Sequence, residues 1–87
     1  MREIQVVVPA EVEAVRVEFV AHLVSTATHF LSDMVIEDTR NSVDLKSIMG
    51  IMTLVFNAGK TFTIKIDGED EDLAAETISS LFLDRGI

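Results

Sequence analysis

One short stretch of this 87-residue chain joins a strand-like pattern to a helix-like one: Asn41-Ser42-Val43-Asp44-Leu45-Lys46-Ser47-Ile48-Met49-Gly50-Ile51-Met52-Thr53-Leu54. Its first part, Ser42–Leu45, alternates polar and apolar residues, which predicts a half-buried strand. Ser47 stands where a helix N-cap is expected, because its hydroxyl can accept a hydrogen bond from a backbone N–H of the first turn. The apolar residues Ile48–Phe56 then predict a short helix, closed by Asn57-Ala58-Gly59.

The chain after this stretch has the pattern of a strand and a long helix. Thr61–Ile66 alternates over six residues, as a strand with one solvated face does. Asp67-Gly68 predicts a turn, and Glu69–Leu83 predicts a helix whose acidic start suits the positive end of the helix dipole. The spacing of these acids does not match a calcium loop, so a solvated helix start is expected. The buried stripe of this helix is predicted to be Leu73, Thr77, Ile78, Leu81 and Phe82.

Three elements are predicted before the stretch. Glu3–Val8 is a β-branched strand that stops at the chain's single proline. A helical pattern follows, and it starts either near residue 10 or, after a loop, near Arg16. Met34–Glu37 is a second strand, and the polar Asp38–Asn41 predicts a hairpin turn. The apolar stripe of the helix consists of Val20, Leu23, Val24, Ala27, Phe30 and Leu31.

The order β-α-β-β-α-β-α is that of an α+β open-faced sandwich, and 87 residues make one domain, 1–87. Fifteen acidic and seven basic residues give a formal net charge of −8, which argues against direct binding of nucleic acid or of an anionic membrane. No apolar run approaches the roughly 20 residues that span a bilayer, no secretory signal is expected, and a cytoplasmic location follows as the default. Without cysteine, thiol chemistry is excluded, and no metal or other cofactor is expected.

The stretch 41–54 resembles the signature of HPr, the histidine-containing phosphocarrier of the bacterial sugar phosphotransferase system. Its specific part is Leu45–Gly50. The chain length, the element order and the segment Gly59–Ile64 agree, and Ser25–Phe30 is similar to the end of the family's first helix. The resemblance covers essentially the whole chain. It implies an HPr-like open-faced β-sandwich, with a four-stranded antiparallel sheet covered on one face by three helices.

The resemblance also implies changes at the phosphoryl-transfer centre. Counted back without a gap from the end of the first helix, the family's Gly-Ile-His-Ala-Arg-Pro-Ala motif falls on Ala14–Val20. Arg16 then stands at the phosphoryl-accepting histidine, Glu18 at the supporting arginine and Phe19 at the proline, while Val55 replaces a glycine that follows the signature. Arginine stays protonated and has no lone pair for attack, and Glu18 repels a phosphoryl donor. The chain is therefore predicted to be non-enzymatic and similar to the histidine-lacking, Crh-type paralogues.

Ser47 acquires a second expected role from the resemblance, because Gram-positive relatives are phosphorylated on the serine of this motif by an HPr serine kinase. Lys46 beside it would help to hold the phosphate. The family's second helix also docks partner proteins, which implies a docking patch formed by Lys46, Ile48, Met49 and Met52. The alternative is that the face shared by Ile48, Met52 and Phe56 packs against the core. The expected partners are the serine kinase and a LacI-type transcription regulator.

Four apolar residues fall where the family has its catalytic loop: Val15, Val17, Phe19 and Val55. They either extend and pack the first helix or form a new apolar surface beside the docking helix. An exposed patch of this kind would mark a partner or self-association site. The expected state is a monomer or a weak homodimer.

His22 and His29 are the other candidates for phosphoryl transfer. They lie seven residues apart, about 10 Å along a helix axis, which is too far to share one metal ion. Neither starts the helix, so both are expected to face solvent. The leading hypothesis is a non-catalytic regulatory or adaptor module. The alternatives are a phosphocarrier that uses His22 or His29, and a self-associating structural or adaptor subunit outside sugar transport.

Overall fold

A computed structural model of the chain describes residues 1–10, 16–54 and 57–83. The predicted order of elements is confirmed, although several boundaries move by one to four residues. The choice between the two starts of the first helix falls on residues outside the described ranges. The elements are β1 (Arg2–Val7), α1 (Arg16–Thr28), β2 (Asp33–Glu37), β3 (Ser42–Asp44), α2 (Ile48–Met52), β4 (Thr61–Asp67) and α3 (Glu71–Leu83).

The four strands form one antiparallel sheet in the order β1-β4-β2-β3. Ile64 of β4 lies opposite Ile4 of β1 and Ile36 of β2, so the central strand aligns apolar residues across the sheet. Burial alternates along β4, where Phe62, Ile64 and Ile66 are buried. The helices cover this apolar face, and the other face is mostly polar, with Val35 as an exception beside Lys65.

The side chains of α1 and α3 meet above the sheet. Phe19 of α1 contacts Phe82 of α3 edge to face, with ring centroids 5.3 Å apart and planes at 77°. Val20, Leu23, Val24 and Ala27 complete the buried side of α1, as predicted. The buried side of α3 consists of Ala74, Ala75, Ile78, Leu81 and Phe82.

Two predicted core residues are exposed instead. Leu31 lies beyond the end of α1, where the Phe30 N–H already bonds the Ala27 carbonyl at 3.2 Å, so it no longer follows the helical stripe. Leu73 is in the first turn of α3, and the small side chains of Ala74 and Ala75 take the buried positions next to it.

The acidic start of α3 is less solvated than predicted. The half-buried Asp70 accepts hydrogen bonds from the backbone N–H groups of Leu31 and Ser32 at 2.8 and 3.0 Å. The hydroxyl of the fully buried Ser32 also donates to it. These bonds hold the pKa of the Asp70 carboxyl below its usual value, with the hydroxyl bond as the largest cause. Gly68 is required here, because a Cβ at this position would lie 2.6 Å from the Cα of Ser32.

The hairpin between β2 and β3 is organised by Asp38. Its carboxylate accepts hydrogen bonds from the backbone N–H groups of Arg40 and Asn41 at 2.8 and 2.7 Å, and it pairs with the Lys60 ammonium at 3.0 Å. The two backbone bonds, and then the lysine, lower the pKa of Asp38 to about 2. The predicted turn is therefore fixed to the loop that precedes β4.

Candidate functional site

Ser47 caps the N-terminus of α2, as predicted. Its backbone is extended, with φ −110° and ψ 109°, and its Oγ accepts a hydrogen bond from the Gly50 N–H at 3.1 Å. Gly50 lets α2 lie close to β3, because a Cβ there would come within 3.3 Å of the Ser47 Oγ and 3.4 Å of the Val43 Cβ. The serine hydroxyl is thus half-buried at the point where strand, loop and helix meet.

Lys46 makes a contact that the sequence did not predict. Its ammonium donates to the Phe30 carbonyl at 2.8 Å, and its backbone N–H donates to the Asp44 carboxylate at 2.9 Å. The lysine therefore ties the start of α2 to the residues that follow α1. The position of Lys46 directly before the cap residue is the one sequence signal for this contact. That signal does not identify the partner, because the Phe30 carbonyl is 16 residues away in the chain. The role of Lys46 in docking stays a prediction.

Most of the apolar surface of α2 faces outward. Met49 is 81% exposed, Met52 52% and Ile48 45%, whereas Ile51 is completely buried. We call the three exposed residues the α2 patch. A helix of five residues has one buried side, and Ile51 occupies it. The alternative that the other face is core is therefore wrong for Ile48 and Met52, and Phe56 lies outside the described residues. The helix also ends earlier than predicted, because the Thr53 N–H already bonds the Gly50 carbonyl at 3.1 Å.

The start of α1 divides the residues that were predicted to form an altered loop surface. Arg16, Val17 and Glu18 are exposed, but Phe19 is only 2% exposed. Of the two alternatives for Phe19, the surface is wrong and packing of the first helix is confirmed, because α1 turns this side chain toward α3. Val15 and Val55 lie outside the described residues. Val17 is therefore the part of this surface that the structure describes.

Both histidines lie on the outer side of α1 and its end, as predicted. His29 Nδ1 is 2.7 Å from the Ser25 carbonyl oxygen. Because a carbonyl oxygen only accepts, the Nδ1–H group is the donor of this hydrogen bond. The ring lies at the C-terminal end of the helix, where the dipole is negative and disfavours a phosphoryl group.

The comparisons with known proteins identify the family of the chain. The family model described as the PTS HPr component phosphorylation site matches residues 2–84. This chain belongs to the HPr family. Phosphocarrier protein HPr of Lysinibacillus sphaericus is 37% identical over 67 residues, which cover 77% of this chain and 76% of that protein.

Solved structures of the HPr family share the fold. The phosphocarrier protein HPr of Bacillus anthracis superposes with a TM-score of 0.82 at 31% identity and covers 93% of this chain and 95% of its own. Crh of Bacillus subtilis, described as a catabolite repression protein that forms a swapped dimer, superposes with a TM-score of 0.72 at 29% identity. That match covers 94% of this chain and 86% of the Crh chain. The chain is therefore an HPr-like protein of the phosphotransferase-system family.

The described helices differ in charge. Among the described residues of α1 and α2, Glu18 is the one carboxylate, whereas the first turn of α3 alone carries Glu71 and Asp72. The α2 patch thus lies on an element without charged residues, in a protein with a formal net charge of −8. A contact there depends mainly on burial of apolar surface and only weakly on ion pairs.

No cluster of three or more metal-ligating side chains occurs within residues 1–10, 16–54 and 57–83. In the same ranges, each helix is too short or too polar to cross a bilayer.

Proposed function

We propose that this HPr-like protein is a regulatory adaptor that docks partner proteins through the α2 patch and is phosphorylated on Ser47. The observation that carries the proposal is the exposure of Ile48, Met49 and Met52 directly after the Ser47 cap. Because the exposed apolar surface lies next to the Ser47 hydroxyl, phosphorylation of Ser47 would change the binding of a partner to the α2 patch. The partners we propose are an HPr serine kinase and a LacI-type transcription regulator, in the cytoplasm.

The residues at the start of α1 support a role without histidine phosphorylation. Arg16 and Glu18 are exposed there, at the positions that the family resemblance gives to the acceptor histidine and its arginine. A guanidinium cannot attack a phosphoryl group at neutral pH, and a carboxylate two residues away repels the donor. The contact of His29 Nδ1 with the Ser25 carbonyl adds to this argument, because it places the ring at the negative end of the helix.

The first experiment is an in vitro kinase assay with an HPr serine kinase and ATP, followed by intact mass. We expect the native chain to gain one phosphate and Ser47→Ala to gain none. Ser47→Thr keeps a hydroxyl cap and serves as the matched control for folding. No phosphate on the native chain, with an ordinary HPr labelled in parallel, would leave Ser47 a structural cap and remove the phosphorylation half of the proposal.

Docking is tested by binding of the same kinase to two matched variants. Met49→Glu places a charge in the α2 patch, and Leu73→Glu places the same charge at an exposed position of α3. We expect Met49→Glu to weaken binding about tenfold or more, because a carboxylate cannot be buried without a partner. Leu73→Glu should bind as the native chain does. Equal binding by both variants would contradict the α2 patch as the docking site.

The membership in a family of phosphocarriers favours a second candidate function, phosphoryl transfer through His22 or His29. Incubation with the general enzyme of the phosphotransferase system and phosphoenolpyruvate tests it. An acid-labile, base-stable phosphate that disappears in His22→Gln or His29→Gln would establish the carrier function. We expect none to form.

A further inference from the structure

The four methionines of the chain lie in different environments. Met34 is in the core of the sheet and is 2% exposed. Met49 and Met52 are on α2 with most of their side chains in solvent, and Met1 is also exposed. Met49 and Met52 are three residues apart, so their side chains are neighbours on the helix surface. Two solvent-facing thioethers thus form most of the α2 patch.

Oxidants in solution react first with methionines whose thioether sulfur is exposed. A peroxide transfers one oxygen atom to the sulfur; the sulfur is oxidised to a sulfoxide, and the peroxide is reduced to water or to the corresponding alcohol. The product is polar and accepts hydrogen bonds, so it is costly to bury against an apolar partner. Methionine sulfoxide reductases return it to the thioether with electrons from a thiol, which makes the change reversible.

Oxidation on α2 should leave the fold intact. The helix is anchored by Ile51, which is fully buried, and by the cap that Ser47 forms. Neither anchor uses a methionine sulfur. The chemical change is therefore confined to the outward side of α2, where the proposed docking takes place.

We propose that Met49 and Met52 form a reversible oxidation site that switches off docking through the α2 patch when peroxide is present. The inference rests on the proposed docking function and adds its regulation. Hydrogen peroxide is the oxidant, and the switch acts on the affinity for the partner rather than on the stability of the domain. Met34 is protected by the sheet and serves as the internal reference.

The first arm of the test needs no partner. The native chain is treated with hydrogen peroxide, and each methionine is followed by peptide mass. We expect Met49 and Met52 to be oxidised at least ten times faster than Met34, with an unchanged circular dichroism spectrum. Oxidation of Met49 and Met52 at the rate of Met34, or loss of the folded spectrum as they react, would overturn the inference.

The second arm measures binding to the HPr serine kinase before oxidation, after it, and after repair by sulfoxide reductases with dithiothreitol. We expect binding to weaken about tenfold and to return on repair, while a Met49→Leu, Met52→Leu double variant is insensitive to peroxide. Unchanged binding after oxidation, with Met49→Glu still defective, refutes the switch and keeps the docking site. Absent binding by the native chain, or equal binding by Met49→Glu, refutes the docking proposal itself.

Discussion

Replacement of Phe19 by leucine tests whether this side chain belongs to the core. The ring is 2% exposed and contacts Phe82 edge to face at 5.3 Å. Leucine keeps most of the apolar volume, a change that costs less than about 1.5 kcal/mol, but it loses an aromatic pair of about 0.5–1.5 kcal/mol. We therefore expect Phe19→Leu to lower the free energy of unfolding by about 2 kcal/mol, and Phe19→Ala by about 3–5 kcal/mol.

The assay is urea unfolding with thermal melts in parallel. A loss of about 2 kcal/mol corresponds to a melting temperature lower by roughly 8–16 °C in a domain of this size. Val17→Ala is the matched control, because Val17 is exposed two residues earlier and should change stability by less than about 0.5 kcal/mol. A double-mutant cycle with Phe82→Leu should give a coupling of about 0.5–1.5 kcal/mol. If Phe19→Leu costs no more than Val17→Ala, the placement of this ring in the core is refuted.

Three further predictions concern contacts of the cap, the turn before α3 and the β2–β3 hairpin. Ser47→Ala should lower stability by about 1 kcal/mol in thermal unfolding, and Ser47→Thr should restore most of it; a neutral Ser47→Ala would contradict the cap. Gly68→Ala places a Cβ 2.6 Å from the Cα of Ser32 and should lower stability by about 2 kcal/mol or more. The control Gly59→Ala meets no atom within 4 Å and should cost only about 1 kcal/mol, because of its φ of +84°. Equal losses of stability in chemical denaturation would argue against the close approach at Gly68. The Asp38 carboxyl has a native pKa of about 2 against 3.8 for the ordinary group, so the stability it contributes is complete above about pH 4 and is lost as the pH falls toward 2. Between about pH 4 and 2 the melting temperature of the native chain should therefore fall more steeply than that of Asp38→Asn, and parallel curves would refute this.

Local sequence patterns predicted the strands and helices well, because apolar residues recur every second residue in a half-buried strand and every three or four residues in a half-buried helix. The alternation of Thr61–Ile66 gave β4 within one residue, and the serine before an apolar run gave the start of α2. The predicted stripes failed at the end of the first helix and at the start of the third. Leu31 and Leu73 continue the period on paper, but one lies beyond α1 and the other stands beside two alanines that already fill the buried side.

Contacts between distant residues could not be predicted, since they depend on how the elements pack. The Lys46 bond to the Phe30 carbonyl and the Asp70 bonds to residues 31 and 32 join segments that are 16 and 38 or more residues apart. For the same reason, the sequence left two alternatives for Phe19, the helix packing and a surface, and its contact with Phe82 of α3 decides between them. Exposure of the α2 patch could be expected because so short a helix cannot bury every apolar residue.

The shortness of α2 has a consequence for its motion. Isolated helices of fewer than about 12 residues are marginal in water, and α2 has five, so its order depends on one cap and one buried isoleucine. Its backbone amides should open and exchange with deuterium long before those of β4, which pairs with a strand on each side. A bound partner would hold these amides closed. Slowed exchange confined to residues 50–53 would then give the footprint of the partner without any label or substitution.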